Sequence, residues 1–169
     1  MGSNKGNRVG SILSSIEKID GDTNCRVIKV SSFYETKPFG FIEQNNFINA
    51  AIKIETSYTP ADLFKLLKQI EKDLGRNENV KWGPREIDLD ILFYNDLIYQ
   101  DNNITIPHKG IVERDFVLVP LYDIEPEMIH PGNGYSVSEI KIPQKESNII
   151  NKIPTDLHNK WIKQKAIPI

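Results

Sequence analysis

This 169-residue sequence holds a single cysteine, Cys25, so neither an intrachain disulfide nor a cysteine-cluster metal site can form within it. Neither sign of charge is in excess: 21 Lys and Arg stand against 23 Asp and Glu, a net charge of −2. With an isoelectric point near 5.9, no global basic field draws in nucleic acid or an acidic membrane surface. A negatively charged ligand must therefore be held by local basic residues. No apolar run approaches the roughly 20 residues of a membrane span. The N-terminus carries no basic-then-apolar signal pattern, and no Gly-x-x-x-x-Gly-Lys-[Ser/Thr] phosphate loop occurs anywhere. There is no internal repeat. With 39% hydrophobic and 26% charged residues, the composition is that of an ordinary globular chain, long enough to bury a core. A soluble, cytoplasmic protein without nucleic-acid or membrane partners is expected.

Against that background, local patterns carry the information. Val9, Ile12, Leu13, Ile16 and Ile19 recur at three- and four-residue steps, predicting an amphipathic helix over 7–19 with Asn7 as its cap and Gly21 beyond its end. A second helix has Thr59 as N-cap, Pro60 at its first position, a Leu63/Leu66/Leu67/Ile70/Leu74 stripe and Gly75 as its stop. Residues 26–34, 46–56 and 86–94 are β-prone, and LIYQ (97–100) is expected to pair back onto the last of these. FVLVPLYDI (116–124) reads as a short helix or an irregular core segment, interrupted by Pro120. The tail from 141 is polar and proline-bearing, so residues 1–140 are expected to form the domain and 141–169 a loosely attached extension.

The order helix, strand, strand, helix, strand becomes the ferredoxin-like βαββαβ plan of an α+β sandwich once one strand precedes the first helix. The chain opens MGSNKGNR, so that first strand is expected to be missing or truncated, with its residues lying upstream.

Alternation places Ile87, Leu89, Ile91 and Phe93 on a core face and Asp88 and Asp90 on the other, about 6.5–7 Å apart at Cα. In 46–56 the core set is Ile48, Ala50, Ile52 and Ile54, and the opposite set begins Phe47, Asn49. Two same-face carboxylates suit divalent ions with hard oxygen ligands. Taken alone they equally suit the solvated face of a half-buried strand. Arg76, Lys81 and Arg85 just upstream shift the balance, because cations beside carboxylate-bound metal suit a polyphosphate. Surface ion pairs with Glu78 and Glu86 are the plainer reading of that loop.

The run KWGPREIDLDI (81–91) resembles the signature of the 6-hydroxymethyl-7,8-dihydropterin pyrophosphokinases. Supporting matches follow in order: GSNKGNR, SSFYETKPFG, FINAA, Glu71 with GR (75–76), IPH and RDFVLVPL, so the resemblance covers about 2–140. It implies transfer of a pyrophosphoryl group from ATP to the pterin hydroxymethyl oxygen in folate biosynthesis, releasing AMP, by a monomer. It also implies two Mg²⁺ ions on Asp88 and Asp90, with Asp90 helping to deprotonate the attacking hydroxyl. Phe47 and Phe116 would sandwich the pterin, Asn49 would bond its edge, and Thr36, Lys37 and Phe39 would complete that pocket. Glu71, Ile91, Thr105 and His108 would line the ATP site. Arg76 and Arg85 would engage phosphates, Lys81 and Trp82 would belong to a closing lid at 76–85, and Arg114 would sit near the pterin or the phosphates.

Three positions depart from the family pattern: Glu78 and Asn103 stand where basic residues are common, and Lys81 replaces an arginine. They motivate an alternative of the same fold, a catalytically impaired pterin- or nucleotide-binding module. An RNA-binding sheet or a nucleotidyltransferase is a further alternative. The acidic balance, and the lack of aromatics interleaved with basic residues, count against RNA.

Overall fold

A computed structural model of the chain describes residues 1–40, 43–76, 83–142 and 147–153. In chain order its elements are β1 (Gly2–Ser3), α1 (Arg8–Asp20), β2 (Cys25–Val30), β3 (Phe33–Thr36), β4 (Phe47–Asn49), β5 (Ile52–Thr56), α2 (Pro60–Asp73), β6 (Tyr99–Gln100), β7 (Thr105–Ile106), α3 (Gly110–Glu113), α4 (Asp115–Ile124) and β8 (Ile149–Ile153). The arrangement is α+β and ferredoxin-like, and the strands named pair antiparallel. Among the described residues no helix is long and apolar enough to cross a membrane.

Both long helices begin where local chemistry dictates. The Asn7 side chain accepts from Gly10 N–H, and Thr59 Oγ accepts from Asp62 N–H, each giving an acceptor to a first-turn donor that the helix cannot satisfy itself. Gly75, at φ 90°, stops the second. The apolar stripes of α1 and α2 then share one core. Ile12, Ile16 and Ile19 meet Leu63, Leu67 and Ile70 over Val27, Ile48, Ile87 and Leu89. Each fully buried Ile or Leu side chain contributes about 1.5–3 kcal/mol of transfer free energy.

The two predicted strands at 26–34 and 46–56 each divide in two. Ser31 N–H donates to the Ala51 carbonyl while the Ser31 hydroxyl accepts from Ala51 N–H, so a side chain takes over part of the ladder at the break. Beyond it, β2 pairs with β5, and β3 pairs with β4 in the register Tyr34↔Asn49 and Thr36↔Phe47.

The first strand, expected to be missing or truncated, is a two-residue strand. Gly2 pairs with Asn49 on one side and exchanges two backbone hydrogen bonds with Asp88 on the other, at 2.9 and 2.8 Å. Residues 86–94, read as a strand, form no ladder: Asp88 bridges to Gly2 and Tyr94 to Asp96, each as an isolated bridge. The reason is physical: a ladder needs a partner of matching length, and the Leu89 N–H and C=O are taken by the side chains of Glu71 and Lys68. The alternation survives, with Ile87, Leu89 and Ile91 buried.

LIYQ does not pair with 86–94. Asn95 turns the chain at φ 50°, and Tyr99–Gln100 pairs with Thr105–Ile106 around Asp101, whose carboxylate accepts from Asn103 and Ile104 N–H. The 116–124 segment is helical, with Pro120 inside it. Nor is the stretch 147–153 loosely attached. Ile149–Ile153 pairs with β3 as an edge strand. α1 and α2 lie on one face of the sheet. α4 packs against β3, β4 and β5 from the other, where a second small core gathers Ile111, Leu118, Leu121 and Val137.

Candidate active site

On the α4 side of the sheet a pocket opens over β1, β4 and the end of β3. β4 alternation sends Ile48 into the core and turns Phe47 and Asn49 into this pocket. Asn49 is buried, and its amide donates to Thr36 Oγ1 at 2.8 Å, so its neighbour on β3 supplies the partner that a polar strand residue requires. Gly2 lies against the same amide. A Cβ added there would stand 2.7 Å from Asn49 Oδ1, so the close approach of β1 to β4 requires glycine.

Lys37 and Phe39 continue the β3 wall, and Arg114 and Phe116 form the opposite one from the start of α4. The Phe39 and Phe116 rings meet at 5.9 Å with a 55° tilt, and the Arg114 guanidinium stands 5.0 Å from the Phe39 centroid. Phe116 is therefore a pocket residue rather than plain core. Arg114 Nε is buried with no hydrogen-bond partner among the described residues.

Asp88 and Asp90 both reach the pocket, as alternation requires. Asp88 Oδ1 pairs with Arg76 at 2.6 Å and Oδ2 with Arg85 at 2.5 Å. Burial pushes the Asp88 carboxyl up, but Arg85 and Arg76 outweigh it and hold it below the usual carboxylate range. Asp90 is exposed, with no hydrogen-bond or ion-pair partner among the described residues. His108 follows a cis Ile106–Pro107 bond and donates its backbone N–H to the Leu92 carbonyl. Its Nδ1 accepts from Gly110 N–H at 3.1 Å, so in the neutral ring the proton sits on Nε2. Burial lowers its pKa against the pull of Asp90.

Two of the expected residues lie beneath the pocket. Glu71 is buried. Its Oε1 accepts from Leu89 N–H at 2.6 Å and from Lys68 at 2.7 Å, and its Oε2 pairs with Arg76 at 2.5 Å. Burial raises its pKa in spite of those cations. Glu71 and Arg76 thus underpin the Asp88–Asp90 segment from outside the pocket wall. Ile91 belongs to the core and to a neighbouring apolar cavity, and Thr105 is exposed on β7 away from this pocket. Lys81 and Trp82, with Glu78, lie outside the described residues.

Sequence reasoning assigned no role to Lys68 or Asn4. Lys68 binds both Glu71 and the Leu89 carbonyl. Asn4, almost wholly buried, accepts from Arg85 N–H and donates to Gln44 and the Asn45 carbonyl, tying the loop before Asp88 to the loop before β4. Asn4 stood inside a quoted motif, a usable signal. Lys68 had none beyond its place on α2.

The donor set fits a hard divalent cation. Asp90 has free oxygens, Asp88 shares its face, and no group of three or more His, Cys, Asp or Glu among the described residues makes a protein-only cage. An ion here would complete its shell with phosphate oxygens and water.

Comparison with known proteins bears on the same residues. The family model for 7,8-dihydro-6-hydroxymethylpterin-pyrophosphokinase (HPPK) matches residues 1–126. The chain belongs to this family. It is similar to the 2-amino-4-hydroxy-6-hydroxymethyldihydropteridine pyrophosphokinase of Aquifex aeolicus, 44% identical over 141 residues, 83% of this chain and 87% of that protein. The Bacillus subtilis protein of the same name is 42% identical over 124 residues, 73% of this chain and 74% of its own. The folic acid synthesis protein FOL1 of Dictyostelium discoideum is 41% identical over 153 residues, 90% of this chain but 23% of that protein. The family match takes in every pocket residue named above and ends short of β8.

Proposed function

We propose that the chain transfers a pyrophosphoryl group from ATP to 6-hydroxymethyl-7,8-dihydropterin in folate biosynthesis, releasing AMP. The observation that carries this reading is the convergence, in one pocket, of two same-face carboxylates, two arginines and three aromatic rings around a buried amide. A flat heteroaromatic ring needs aromatic faces and a few well-aimed polar groups. Phe47, Phe116 and Asn49, supported by Thr36, Lys37 and Phe39, are of that kind. A polyphosphate needs cations, and Arg85 and Arg114 face the same space, with Arg76 one ion pair behind.

In the proposed reaction the hydroxymethyl oxygen attacks the β-phosphorus of ATP. The bond from that phosphorus to the α–β bridging oxygen breaks, AMP leaves, and the hydroxyl proton is lost. Asp90, exposed to the pocket, helps to take that proton. Two Mg²⁺ ions, held by Asp88 and Asp90, are the proposed cofactors; when bound they supply positive charge against the phosphate oxygens. Arg85, which lines the pocket and pairs with Asp88, is proposed to share its donors with phosphate, and Arg76, behind Asp88, is assigned to phosphate on family resemblance. His108 offers Nε2–H to the nucleotide. Glu71 acts from below as a positioning residue, and Ile91, Thr105, Lys81 and Trp82 are assigned to the nucleotide side on family resemblance. Action as a monomer is proposed on family resemblance alone.

The test is AMP formation from ATP and Mg²⁺, with and without the pterin, beside an Asp90→Ala control. Pterin-dependent AMP that vanishes in the control is expected. ADP in place of AMP would sink the chemistry. Tight pterin binding without any AMP would favour the impaired binding module instead.

A further inference from the structure

The two walls of the ring-binding half of the pocket come from distant parts of the chain. One is the end of β3 with Thr36, Lys37 and Phe39; the other is the start of α4 with Arg114 and Phe116. At the mouth they touch through the Phe39 and Phe116 rings. Behind them lies a second connection, made by residues past the end of the family match. Lys37 N–H donates to the Asn148 carbonyl at 2.8 Å. Asn148 then turns to Asp115, giving its backbone N–H to Oδ2 at 2.7 Å and its side-chain amide to Oδ1 at 3.1 Å. Ser147 Oγ donates to the same Oδ2 at 2.8 Å, and Asp115 Oδ1 also accepts from Phe116 N–H at 2.8 Å.

From this we propose that Ser147–Asn148 and Asp115 form a brace that sets the separation of the two walls, and that they are positioning residues for the ring substrate. The proposal rests on the function given above for what the ring is.

An acid in a first turn ordinarily caps its own helix. That role needs one acceptor aimed at a first-turn N–H and no buried carboxylate. Asp115 is 7% exposed, and three of its donors come from residues 147 and 148. The covalent and hydrogen-bonded path from Lys37 to Phe116 runs through one residue, Asn148. A second latch keeps that residue in place. β8 continues from it along β3, and Asp123, two turns further along α4, accepts from Ser32 N–H, Tyr34 Oη and Lys152. α4, β8 and β3 thus form a closed triangle, with the ring pocket at its Asp115 corner. The proposed stacking of a flat ring between Phe116 and Phe47, which pairs with Thr36 of β3, fixes the gap between the two sides to a few tenths of an ångström, because dispersion contacts fall off steeply with separation. A brace at the back therefore acts on ring affinity. Asp88, Asp90 and Arg85 stand on a different segment, which Glu71 holds, so of the groups proposed for phosphate in the pocket Arg114 alone shares the braced wall, and the nucleotide half depends on the brace less than the ring half.

The experiment compares the full chain with Asp115→Ala, Asp115→Asn and Ser147→Ala. It reads KM for 6-hydroxymethyl-7,8-dihydropterin, KM for ATP, kcat, and amide hydrogen exchange at Lys37. Asp115→Ala is expected to raise the pterin KM about tenfold or more while the ATP KM and kcat at saturating pterin stay within about threefold. Lys37 exchange should accelerate. Asp115→Asn, which keeps an acceptor, should recover part of both effects, and Ser147→Ala should fall between wild type and Asp115→Ala. If Asp115→Ala does not fold, the Ser147→Ala pair of readouts decides alone. Equal rises in both KM values, or unchanged Lys37 exchange in the folded variants, would overturn the brace. If the wild-type chain makes no AMP and binds no pterin, the functional reading fails, and Lys37 exchange still judges the brace by itself.

Discussion

Glu71→Ala tests whether the segment bearing Asp88 and Asp90 is held from beneath. In the folded chain this buried carboxylate receives Leu89 N–H, Lys68 and Arg76 at 2.5–2.7 Å. Truncation leaves Leu89 N–H without an acceptor in the interior, which alone costs about 1–3 kcal/mol. It also strips a counter-charge from two partly buried cations. Cutting one partner from a buried ion pair costs about 3–5 kcal/mol in all, a figure that already includes the stranded donor. Lys68 keeps the Leu89 carbonyl and Arg76 keeps Asp88, so the lower end, about 3 kcal/mol, is expected. In a chain of this size each kcal/mol moves Tm by about 2–4 °C, so the melting temperature should fall by about 6–12 °C.

Glu71→Gln keeps a carbonyl for Leu89 and loses the charge, so it should cost roughly half as much. Thermal unfolding gives the stability, and hydrogen exchange at the Leu89 amide localises the damage. A loss under about 1 kcal/mol in Glu71→Ala would refute the clamp, being no more than an ordinary exposed pair gives. So would a Glu71→Gln variant as damaged as the alanine, because the Leu89 acceptor would then count for nothing.

Two further outcomes follow from single contacts. Asn49→Ala removes the amide that Thr36 receives in the ring pocket, and the pterin KM should rise about tenfold, the equivalent of about 1.4 kcal/mol, with the ATP KM unchanged; a parallel rise in both would place Asn49 outside ring recognition. Asp123 is pushed up by burial but held lower overall by Tyr34, Lys152 and Ser32 N–H, so its folded pKa lies below its unfolded one. The stability it gives is complete above the ordinary carboxylate value and is lost as pH falls through the depressed one. Below about pH 4 the Tm of wild type should therefore converge on that of Asp123→Asn, and a constant gap between the two curves would contradict this.

The features legible in the sequence were those decided within a few residues. Asn7 and Thr59 cap α1 and α2 because a side-chain oxygen three positions ahead of a free N–H needs no help from elsewhere. Period-two alternation placed Asp88 and Asp90 opposite Ile87 and Leu89, and that held even though 86–94 is no strand. Side-chain direction is local. Strand status is not, because it depends on a partner: β1 offers two residues, and Glu71 and Lys68 claim the backbone of Leu89. The same distinction explains the pocket. Phe47, Asn49, Phe116 and the two aspartates were found through motifs, whereas the positions of Arg76 and Glu71 beneath them follow from α2 packing under the 86–91 segment.

β8 was hidden for a different reason. Among the described residues it is an edge strand with one partner, and its IINKI sequence leaves Ile150, Asn151 and Lys152 exposed, so neither alternation nor an apolar run marks it. What docks it is polar and remote in sequence: Asp115 receiving Ser147 and Asn148, and Asp123 receiving Lys152. Composition reads such a stretch as solvated tail because its polar residues look unspent. Here they are spent on two aspartates of α4, the helix that carries Phe116. A polar segment that follows an acid-bearing helix is therefore better read by asking which donors those acids lack. For Asp115 and Asp123 the helix supplies only Phe116 N–H; the other donors are Ser147, Asn148 and Lys152 about thirty residues downstream and, for Asp123, Ser32 and Tyr34 about ninety upstream.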